Sequence, residues 1–349
     1  MSAAARPTLE SVARHAQVSR QTVSNAINSP QLVHPETLAR VQGAIAELGY
    51  RPHTAARQLR TRRSRVLGLR MEPVRDGING HVLDNFLHAL TAHAQHHGYR
   101  VMLFTAATDG DEIAQYDELL ETADLDGFVL TSTHSGDVRT AWLAERDVPF
   151  VTFGRPWSSP ADAPDDHPWV DVDGAAGTRQ ATRHLLDLGH RRIAFLGWPD
   201  DSDLGNDRAQ GWREAMTDAG FGSGELDALR VALPDDVVAA AAATQRLLAD
   251  AAPTAFVAVS DSLALGAYGV TRQLERPVAV VGFDDTPVAA ALGLSSVAQP
   301  LEEAAGRVLD LLLRRLDGTP APDQHVLLEP SLVARASSSR PAPEDPQNP

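Results

Sequence analysis

The hydrophobic pattern of residues 8–49 predicts three short helices. Apolar residues recur at helical spacing, so that each helix has one apolar face. The inward residues are Leu9, Val12, Ala13 and Ala16 in the first helix, Val23, Ala26 and Ile27 in the second, and Leu38, Val41, Ile45 and Leu48 in the third. Thr8 and Ser19 are suited to N-cap the first two helices. Pro35 opens the third, and Gly49 ends it.

The polar face of the second helix carries side chains that suit DNA bases. Arg20, Gln21, Ser24 and Asn25 point away from the predicted core. Two helices joined by a tight turn and braced by a third form a helix-turn-helix unit, whose second helix enters the major groove. Arginine pairs with guanine and glutamine with adenine. A generic helical bundle with a solvated polar face is the alternative interpretation.

From Val66 onward the pattern changes to short apolar runs alternating with amphipathic helices. The apolar runs lie at 66–69, 99–104, 126–131, 149–153, 191–197, 254–260 and 277–283. This alternation predicts parallel sheets that are covered by helices on both faces. The strands are too many for one comfortable sheet, so we expect two, with crossovers near 156–168, a stretch rich in Pro and Asp, and near 286–298.

Ligands of open α/β sheets bind beyond the carboxyl ends of the strands. The residues at these ends that could hold a ligand are Arg70, Thr131, Arg155, Trp198, Ser260 and Asp284. Hydroxyls, carboxylates and guanidinium groups bind adjacent sugar hydroxyls, and an aromatic ring packs on a pyranose face. We therefore expect a polyhydroxylated effector. The phosphate-binding patterns GxxxxGK[ST] and GxGxxG do not occur in the sequence.

Charge divides the chain in the same way as the hydrophobic pattern. Residues 1–65 hold ten Arg against three Glu, or +7, so the rest must carry −22 to reach the net charge of −15. A basic head on an acidic body indicates that DNA contacts the head alone. The chain has no Cys and no apolar run long enough to span a membrane. Its first residues do not resemble a signal peptide, so we expect a cytoplasmic protein without membrane contacts.

A basic segment follows the predicted head. Arg57, Leu59 and Arg60 lie close together shortly after Pro52. Such a segment can form a short helix in the minor groove, where Leu59 would wedge between bases and the arginines would follow the narrow groove. The segment is too short for a stable isolated helix, so we expect it to fold on DNA.

The motifs VARHAQVSRQTVSNAIN, AELGYRP and AARQLR resemble the head and hinge of the lactose-repressor (LacI/GalR) family. The resemblance implies base contacts by Arg20, Gln21 and Asn25, phosphate contacts by Ser19, Thr22 and Ser24, and intercalation by Leu59. The full DNA-binding set that we predict is Thr8, Ser19, Arg20, Gln21, Thr22, Ser24, Asn25, His53, Ala56, Arg57, Leu59 and Arg60. Two departures are Gln17, where many members have Gly, and Asn25, where the third base-reading residue is often Arg.

The body resembles the same family in VTFGR, VDVDGAAG, DRAQGW, SDSLALGA and VAVVGFDD. The resemblance implies a type I periplasmic-binding-protein fold, in which two Rossmann-like subdomains close around an effector. It implies that Arg208 is the arginine that clamps the effector. It also implies that Ser260 and Asp284 bind hydroxyl groups of the effector. Ser260 replaces a frequent Asn and is expected to bind more weakly. Gly154 replaces a frequent Asp, so we expect Arg155, rather than residue 154, to contact an effector hydroxyl there.

Several of these residues also have structural interpretations. Arg208 could pair with Asp207, Asp173 could be a helix N-cap, and Asp285 could cap a loop. Trp198 and Trp212 suit a core as well as a stacking platform, and His190 suits a helix end. His93, His96 and His97 suggest a metal, but their helical spacing places them on a solvated helix end, so we predict neither metal nor cofactor.

The predicted protein has a helix-turn-helix domain (1–52), a hinge (53–65), an effector-binding and dimerisation body (66–336) and a disordered tail (337–349). Its predicted function is to repress carbohydrate genes from a pseudo-palindromic operator, as a homodimer released by a small sugar. The alternatives are a response to a purine or nucleoside, and a sugar-binding transport protein. A hydrolase using Asp171 and Asp284 would need one carboxyl with a raised pKa. We expect carboxylates beside Arg208 to stay ionised and to hold hydroxyls instead, so we do not expect an enzyme.

Overall fold

A computed structural model describes residues 7–50, 63–71, 80–157 and 167–338. Its contacts divide the chain into two units, residues 1–64 and 65–349. We call the first unit the head and the second the body. The predicted boundary between residues 52 and 53 lies outside the described residues.

The head consists of three helices and a short 3₁₀ turn. The helices are α1 (Leu9–His15), α2 (Arg20–Asn28) and α3 (Pro35–Leu48), and the turn is Pro30–Leu32. Thr8 and Ser19 cap α1 and α2 by accepting hydrogen bonds from the backbone N–H groups of Ser11 and Thr22, as the sequence predicts. Gly49 ends α3 in the left-handed conformation, with φ 61°.

The turn between α1 and α2 contains a non-glycine residue in the left-handed region. Gln17 has φ 54° there. This backbone conformation costs an L-residue about 1–2 kcal/mol relative to glycine. The head retains it because Val12, Ala16 and Val23 are fully or almost fully buried on either side of the turn. Val41 and Ala44 of α3 complete this small core.

The body contains twelve described strands. They are β1 (Val66–Arg70), β2 (Arg100–Phe104), β3 (Gly127–Leu130), β4 (Phe150–Phe153), β5 (Trp169–Val172), β6 (Ile193–Gly197), β7 (Arg230–Ala232), β8 (Ala255–Ala258), β9 (Ala279–Phe283), β10 (Ser295–Ala298), β11 (His325–Leu328) and β12 (Ser331–Val333).

The described helices of the body are numbered after those of the head. They are α4 (Gly80–His96), α5 (Asp109–Thr122), α6 (Val138–Glu145), α7 (Gly174–Asp187), α8 (Asp203–Asp218), α9 (Ser223–Leu229), α10 (Val237–Asp250), α11 (Asp261–Thr271), α12 (Pro287–Ala291) and α13 (Leu301–Asp317).

The strands form two six-stranded sheets. Each sheet and the helices packed on it form one lobe of the body, which we call lobe A and lobe B. The sheet of lobe A has the order β11-β5-β4-β3-β1-β2 and is parallel throughout, with Val66 opposite Arg100 and Phe128 opposite Phe150. Lobe B has the order β12-β10-β9-β8-β6-β7 and is parallel except for the edge strand β12, which pairs antiparallel with β10. The predicted pair of parallel sheets is confirmed.

The described chain passes between the lobes at three places. It leaves lobe A after β5 and enters α7 at Asp173, returns after β10 through Gln299 and Pro300, and crosses again between β11 and β12. The crossover predicted near 156–168 is wrong, because that stretch joins two adjacent strands of lobe A. The one predicted near 286–298 ends one residue before the observed passage at Gln299 and Pro300, because residues 286–298 still belong to lobe B.

The body extends beyond the predicted boundary at residue 336. Ser337 is buried, its Oγ–H donates to the Val280 carbonyl, and its Oγ accepts from Ser295 N–H at 2.7 Å. The Ser338 hydroxyl lies 2.7 Å from that of Ser295. Residues 337 and 338 therefore fill a place in lobe B, and only residues 339–349 of the predicted tail lie outside the described chain. In the described residues, no helix has the length and apolarity that a membrane span requires.

Close contact between α7 and α8 depends on a glycine. A Cβ atom on Gly211 would lie 1.9 Å from the Ala175 carbonyl oxygen and 2.4 Å from Thr178 Oγ1. Both distances are well inside van der Waals contact, so any side chain at residue 211 has to separate the two helices. Arg208 lies on α8 one turn before this contact, and the Thr178 hydroxyl donates to its carbonyl oxygen at 2.6 Å. The glycine thus fixes the helix that carries Arg208.

We expect Gly211→Ala to lower the free energy of unfolding by about 1–3 kcal/mol or more, because the added methyl group overpacks the interface. Gly269→Ala in α11 is the matched control, since nothing lies within 4 Å of the place that its added methyl group would take. That control should gain about 0.5–1 kcal/mol from the lost flexibility of glycine. Urea unfolding of both variants measures the difference, and equal stabilities would contradict the role of Gly211.

Candidate functional site

A cavity of about 240 Å³ lies between the carboxyl ends of the strands of the two lobes. Its aromatic and aliphatic wall consists of Phe153, Trp157, Trp198, Phe283, Val82, Leu83, Val172 and Leu204. Its polar wall consists of Ser132, Thr133, Gly154, Asp171, Arg208, Asp235, Asp284 and Gln299. Apolar faces with a few convergent polar groups are typical of a site for a small organic ligand.

Arg208 is the buried cation of this cavity. Its side chain is 4% exposed, and its guanidinium carbon lies 3.7 Å from the centre of the Phe283 ring and 5.4 Å from that of Trp198. Nη1 donates to the Val259 carbonyl at 2.6 Å and lies 3.5 Å from Asp284 Oδ1. Nε has no hydrogen-bond partner among the described residues. The two rings therefore fix the guanidinium plane while part of its donor capacity is left for a ligand.

Asp284 is the carboxylate that Arg208 approaches. It follows β9 with φ 107°, and the next residue, Asp285, has φ 48°. Two consecutive non-glycine residues in this region cost about 1–3 kcal/mol each, so the surrounding contacts must hold the turn. The Gln299 amide donates to Asp284 Oδ1 at 2.8 Å. Burial raises the pKa of Asp284 to about 7, although Arg208 acts to lower it. The expectation that a carboxylate beside Arg208 keeps its ordinary low pKa is therefore wrong for Asp284.

Asp235 is a second cavity carboxylate, and Ser260 holds it in place. The Ser260 hydroxyl donates to Asp235 Oδ1 at 2.6 Å, and its oxygen accepts from Leu263 N–H at 3.3 Å as the N-cap of α11. Ser260 is completely buried and is not part of the cavity wall. The hydroxyl predicted to contact the effector therefore orients Asp235, which does line the cavity.

Arg155 joins the two lobes behind the cavity wall. Its Nε donates to Asp171 Oδ2 of lobe A at 2.6 Å, and its Nη2 donates to Asp207 Oδ2 of α8 at 3.1 Å. Its guanidinium carbon lies 4.7 Å from the centre of the Trp157 ring. Burial alone would lower the pKa of Arg155, but the adjacent carboxylates raise it overall. Arg155 thus fixes two wall residues, Asp171 and Trp157, without lining the cavity itself.

A second contact joins the lobes beside Leu204. The Ser135 backbone N–H donates to Asp203 Oδ2 at 2.7 Å, and its hydroxyl donates to Asp203 Oδ1 at 3.0 Å. Ser135 follows β3 of lobe A, whereas Asp203 begins α8 of lobe B. The two lobes are therefore held together at this cleft by Asp203 as well as by Asp207.

Gly154 leaves space that Thr133 occupies. Gly154 has φ 125°, and a Cβ atom there would lie 2.4 Å from Thr133 Oγ1. The Thr133 hydroxyl donates to the Arg155 carbonyl at 2.8 Å. A side chain at residue 154 would displace Thr133 from the cavity wall.

Arg70 and Thr131 lie in a buried ionic cluster and do not line the cavity. Arg70 Nη1 is 3.1 Å from Glu112 Oε2, which also accepts from Arg139 Nη1 at 2.8 Å. Arg139 is completely buried and donates to the carbonyls of Thr131 and Ser132. The expectation that Arg70 and Thr131 contact the effector is therefore not supported, because neither residue lines the cavity and the Arg70 guanidinium group pairs with Glu112 instead. Arg139 instead fixes Ser132, which lines the cavity.

Of the residues predicted to bind the effector, Trp198, Arg208 and Asp284 lie in the cavity wall, whereas Arg70, Thr131, Arg155 and Ser260 do not. The prediction missed Asp235 and Gln299. Both follow carboxyl ends of strands, the three-residue β7 and the Ser-rich β10. Recognising those two strands would have identified both residues by the same rule.

The structural interpretations hold for several other residues. Asp173 caps α7 by accepting from Ala176 N–H at 2.8 Å. His190 is buried with Nδ1 3.0 Å from the Thr254 hydroxyl, and Trp212 is a core residue whose ring N–H donates to the Ile193 carbonyl at 3.2 Å. Asp207 pairs with Arg155 rather than with Arg208.

Among the described residues, Asp109, His134 and Asp137 each place a ligand atom within 4.8 Å of the others. Arg139 Nε and Nη2 donate to the two oxygens of Asp137, and Arg139 Nε lies 3.7 Å from Asp109 Oδ1. A guanidinium group in that position repels a cation. Asp109, His134 and Asp137 therefore form part of an ion-pair network with Arg139 and do not suit a metal site.

The second helix of the head presents a polar surface. Arg20 and Gln21 are exposed, and the Gln21 amide donates to Asn25 Oδ1 at 3.0 Å. The Ser19 and Thr22 hydroxyls lie 2.8 Å apart at the start of α2. The residues predicted to read bases thus share one face at the N-terminal half of α2. The predicted hinge contacts His53, Ala56, Arg57, Leu59 and Arg60 lie outside the described residues.

Both the head and the body of the chain are similar to known proteins. Residues 8–53 match the family described as bacterial regulatory proteins, lacI family, and residues 182–338 match the periplasmic binding protein-like domain. The transcriptional regulator CelR of Thermobifida fusca is 37% identical over 349 residues, which cover 95% of this chain and 98% of CelR.

Two solved structures show the same architecture. One is the complex of CelR with cellobiose, which is 34% identical, covers 95% of this chain and 100% of that one, and has a TM-score of 0.67. The other is the lac repressor dimer bound to operator and the anti-inducer ONPF, which is 25% identical over 95% of this chain and 99% of that one, with a TM-score of 0.77.

These matches agree with a helix-turn-helix head joined to a body of two parallel sheets, and the transport-protein alternative does not account for the head. This chain belongs to the lacI family of bacterial regulatory proteins and is a transcriptional regulator, not an enzyme.

Proposed function

We propose that this regulator represses carbohydrate-utilisation genes and is released from its operator by a small neutral sugar bound between lobes A and B. The observation that carries the proposal is the pairing of Arg208 with Asp284 in a cavity walled by Trp157, Trp198 and Phe283. The guanidinium and carboxylate groups suit neighbouring hydroxyls, and the rings suit the C–H faces of pyranoses.

The charge of the cavity argues for a neutral ligand. Three carboxylates, Asp171, Asp235 and Asp284, line it together with one guanidinium group, that of Arg208. Asp171 is paired with Arg155, but the remaining charge does not favour an anion. A phosphorylated sugar would have to approach Asp235 and Asp284 in a buried setting, which costs several kcal/mol unless each charge is compensated. We therefore expect sugars to bind more tightly than their phosphates.

Cellobiose is the first probe to test, because a structure of the related CelR was determined as a complex with this disaccharide. A purine or nucleoside is the second candidate ligand, since the rings of Trp157 and Trp198 line the cavity and a base could stack on them. A thermal-shift screen of disaccharides, monosaccharides, their phosphates and nucleosides separates these classes, because a bound ligand raises the apparent stability.

On the DNA side, we propose that a homodimer binds a pseudo-palindromic operator, with one head in each half-site. The face of α2 that carries Arg20, Gln21 and Asn25 supports base contacts in the major groove. The likeness to the lac repressor dimer bound to operator supports the dimeric state. Effector binding would favour one arrangement of the lobes and so change the affinity for operator.

Arg208→Ala should weaken sugar binding by about 10- to 100-fold, because it removes charged hydrogen bonds and leaves Asp284 without its buried counter-charge. Isothermal titration calorimetry measures the affinity, and a gel-shift assay should show that operator binding persists without induction. The control is Arg213→Ala on the same helix, because Arg213 is half-buried, pairs with the exposed Asp227 and does not line the cavity. Unchanged induction in Arg208→Ala would refute the clamping role.

Sugar affinity should rise between about pH 6 and pH 8. The pKa of Asp284 is about 7 in the free protein, and a hydroxyl that donates to its carboxylate stabilises the ionised form. Binding below about pH 7 should therefore release a proton, which calorimetry in buffers of different ionisation enthalpy detects. Asp284→Asn should remove this dependence. An affinity that falls over the same pH range would show that Asp284 does not accept from the ligand.

Sugar affinity should rise with pH, whereas the raised pKa of Asp284 makes the folded state less stable as the pH rises. Asp284 binds its proton more tightly in the folded than in the unfolded chain, so its contribution to stability falls as the pH rises from about 4 to 7. A neutral ligand that donates hydrogen bonds to this ionised carboxylate should recover part of that loss.

Arg20→Ala should cost about 1–3 kcal/mol in operator binding and relax base preference at one position in each half-site. The operator is first obtained by selecting bound duplexes from a random pool. Fluorescence anisotropy then compares operator with random DNA, and Arg40→Ala on α3 is the control. Equal losses on both DNAs would mean that Arg20 contacts only phosphate.

A further inference from the structure

Asp284 faces the cavity from a strained turn, and the source of that turn's rigidity lies outside the cavity. Residues 284 and 285 both have positive φ, at 107° and 48°. Such a conformation persists only where neighbouring contacts determine it. The Asp284 backbone N–H donates to the Val297 carbonyl at 2.8 Å, which fixes the turn on one side. The other side, residues 285 and 286, is fixed by a buried carboxylate.

That carboxylate belongs to Asp261, the first residue of α11. Asp261 is completely buried and is not part of the cavity wall. Its Oδ2 accepts from the Thr286 backbone N–H at 2.7 Å and from the Thr286 hydroxyl at 2.8 Å, and its Oδ1 accepts from the Ser296 hydroxyl at 2.6 Å. Three donors from two different segments therefore converge on one carboxylate.

Ser296 extends the arrangement to the remaining peptide group. Its hydroxyl oxygen accepts from the Asp285 backbone N–H at 3.0 Å while its hydrogen is donated to Asp261. Both peptide N–H groups that follow Asp284 are thus held by Asp261. The Thr286 N–H donates to its carboxylate directly, and the Asp285 N–H is connected to it through the Ser296 hydroxyl. Arg335 Nη1 donates to the Asp285 side chain, at 2.6 Å from its Oδ1.

The sequence provides the space for this carboxylate. A Cβ atom on Gly282 would lie 2.2 Å from Asp261 Oδ1 and 2.9 Å from Ala264 Cβ. Glycine at residue 282 is therefore required for Asp261 to approach β9. Burial raises the pKa of Asp261, and the hydrogen bonds from Ser296 and Thr286 oppose that rise.

We infer that Asp261 is a positioning residue of the effector site, whose carboxylate holds the 284–286 turn in the conformation that directs Asp284 into the cavity. This inference rests on the proposed function, because it assigns Asp261 a role in binding the same effector. It makes two separable claims, one about the turn in the free protein and one about ligand affinity.

The first experiment needs no ligand. Amide hydrogen exchange of the full-length protein, followed by mass spectrometry of peptides that cover 282–292, compares wild type with Asp261→Asn and Ser296→Ala. The Asp285 and Thr286 amides should exchange about tenfold faster or more in Asp261→Asn, because their acceptors are lost or turned. Val257→Ala is the control for general destabilisation, since Val257 is a fully buried residue of the neighbouring strand β8.

The second experiment measures cellobiose affinity by calorimetry from about pH 6 to pH 8.5. We expect Asp261→Asn to bind about tenfold more weakly or worse than wild type, since small displacements of a positioned group have effects of this size. Val257→Ala should bind as wild type does. The charged groups that act on Asp284 are Arg208 on α8, Asp235 before α10 and Asp261 on α11. Removing the negative charge of Asp261 should therefore move the pH midpoint downward.

Ser296→Ala distinguishes position from charge and serves if Asp261→Asn does not fold. It releases the Asp285 amide but keeps the charge of Asp261, so it should weaken binding without moving the pH midpoint. If exchange at 284–286 and affinity change no more in either variant than in Val257→Ala, the inference is wrong. If wild type binds no sugar while the turn loosens as expected, the positioning claim for Asp284 stands and the proposed effector class fails.

Discussion

The buried charge of Arg208 is the constraint on which the effector cavity depends. A guanidinium group with 4% exposure has lost most of its hydration, so the protein must provide acceptors and a counter-charge. The Val259 carbonyl, the Asp284 carboxylate and the faces of Phe283 and Trp198 meet this requirement. Each of these groups is then fixed in turn: Asp284 by its turn and Gln299, and Phe283 by the core of lobe B. The groups that stabilise the buried Arg208 guanidinium group therefore also determine the geometry of the cavity.

Helix α8 connects this cation to both lobes. Arg208 and Asp207 are neighbours on it, and Asp203 lies one turn earlier. Arg208 contacts residues of lobe B, whereas Asp203 and Asp207 contact Ser135 and Arg155 of lobe A. A ligand that hydrogen-bonds with Arg208 therefore contacts the helix that also holds the lobes together. A ligand that bound Arg208 and also a cavity residue of lobe A would interact more strongly with closed than with open lobes. Such a difference is what a ligand needs in order to shift a conformational equilibrium.

Sequence patterns were sufficient for the architecture and for part of the site. Helical spacing identified the three helices of the head, and apolar runs identified seven of the twelve described strands, distributed over both sheets. Trp198 and Asp284 followed from the strand-end rule, and Arg208 from the motif DRAQGW. Arg70 satisfied the same rule, yet Glu112 turns it away from the cavity through a contact that only the fold reveals. Asp235 and Gln299 were missed because β7 has three residues and β10 begins with two buried serines. The first crossover carries no compositional signal, since Asp173 ends the connection from β5 and caps α7 at once.

The repeated passage between the lobes has a consequence for how the chain folds. Residue 169 pairs with residue 325 in lobe A, and lobe B receives its edge strand only from residues 331–333. Almost all of lobe B is synthesised between the two strands that close lobe A. Contacts so distant in sequence slow folding, because the entropy of closing a long loop is lost before the contact forms. On the ribosome neither sheet can be completed until the last segment of the body emerges. Early termination shortly after α13 would thus leave two unfinished sheet edges, which are surfaces prone to aggregation.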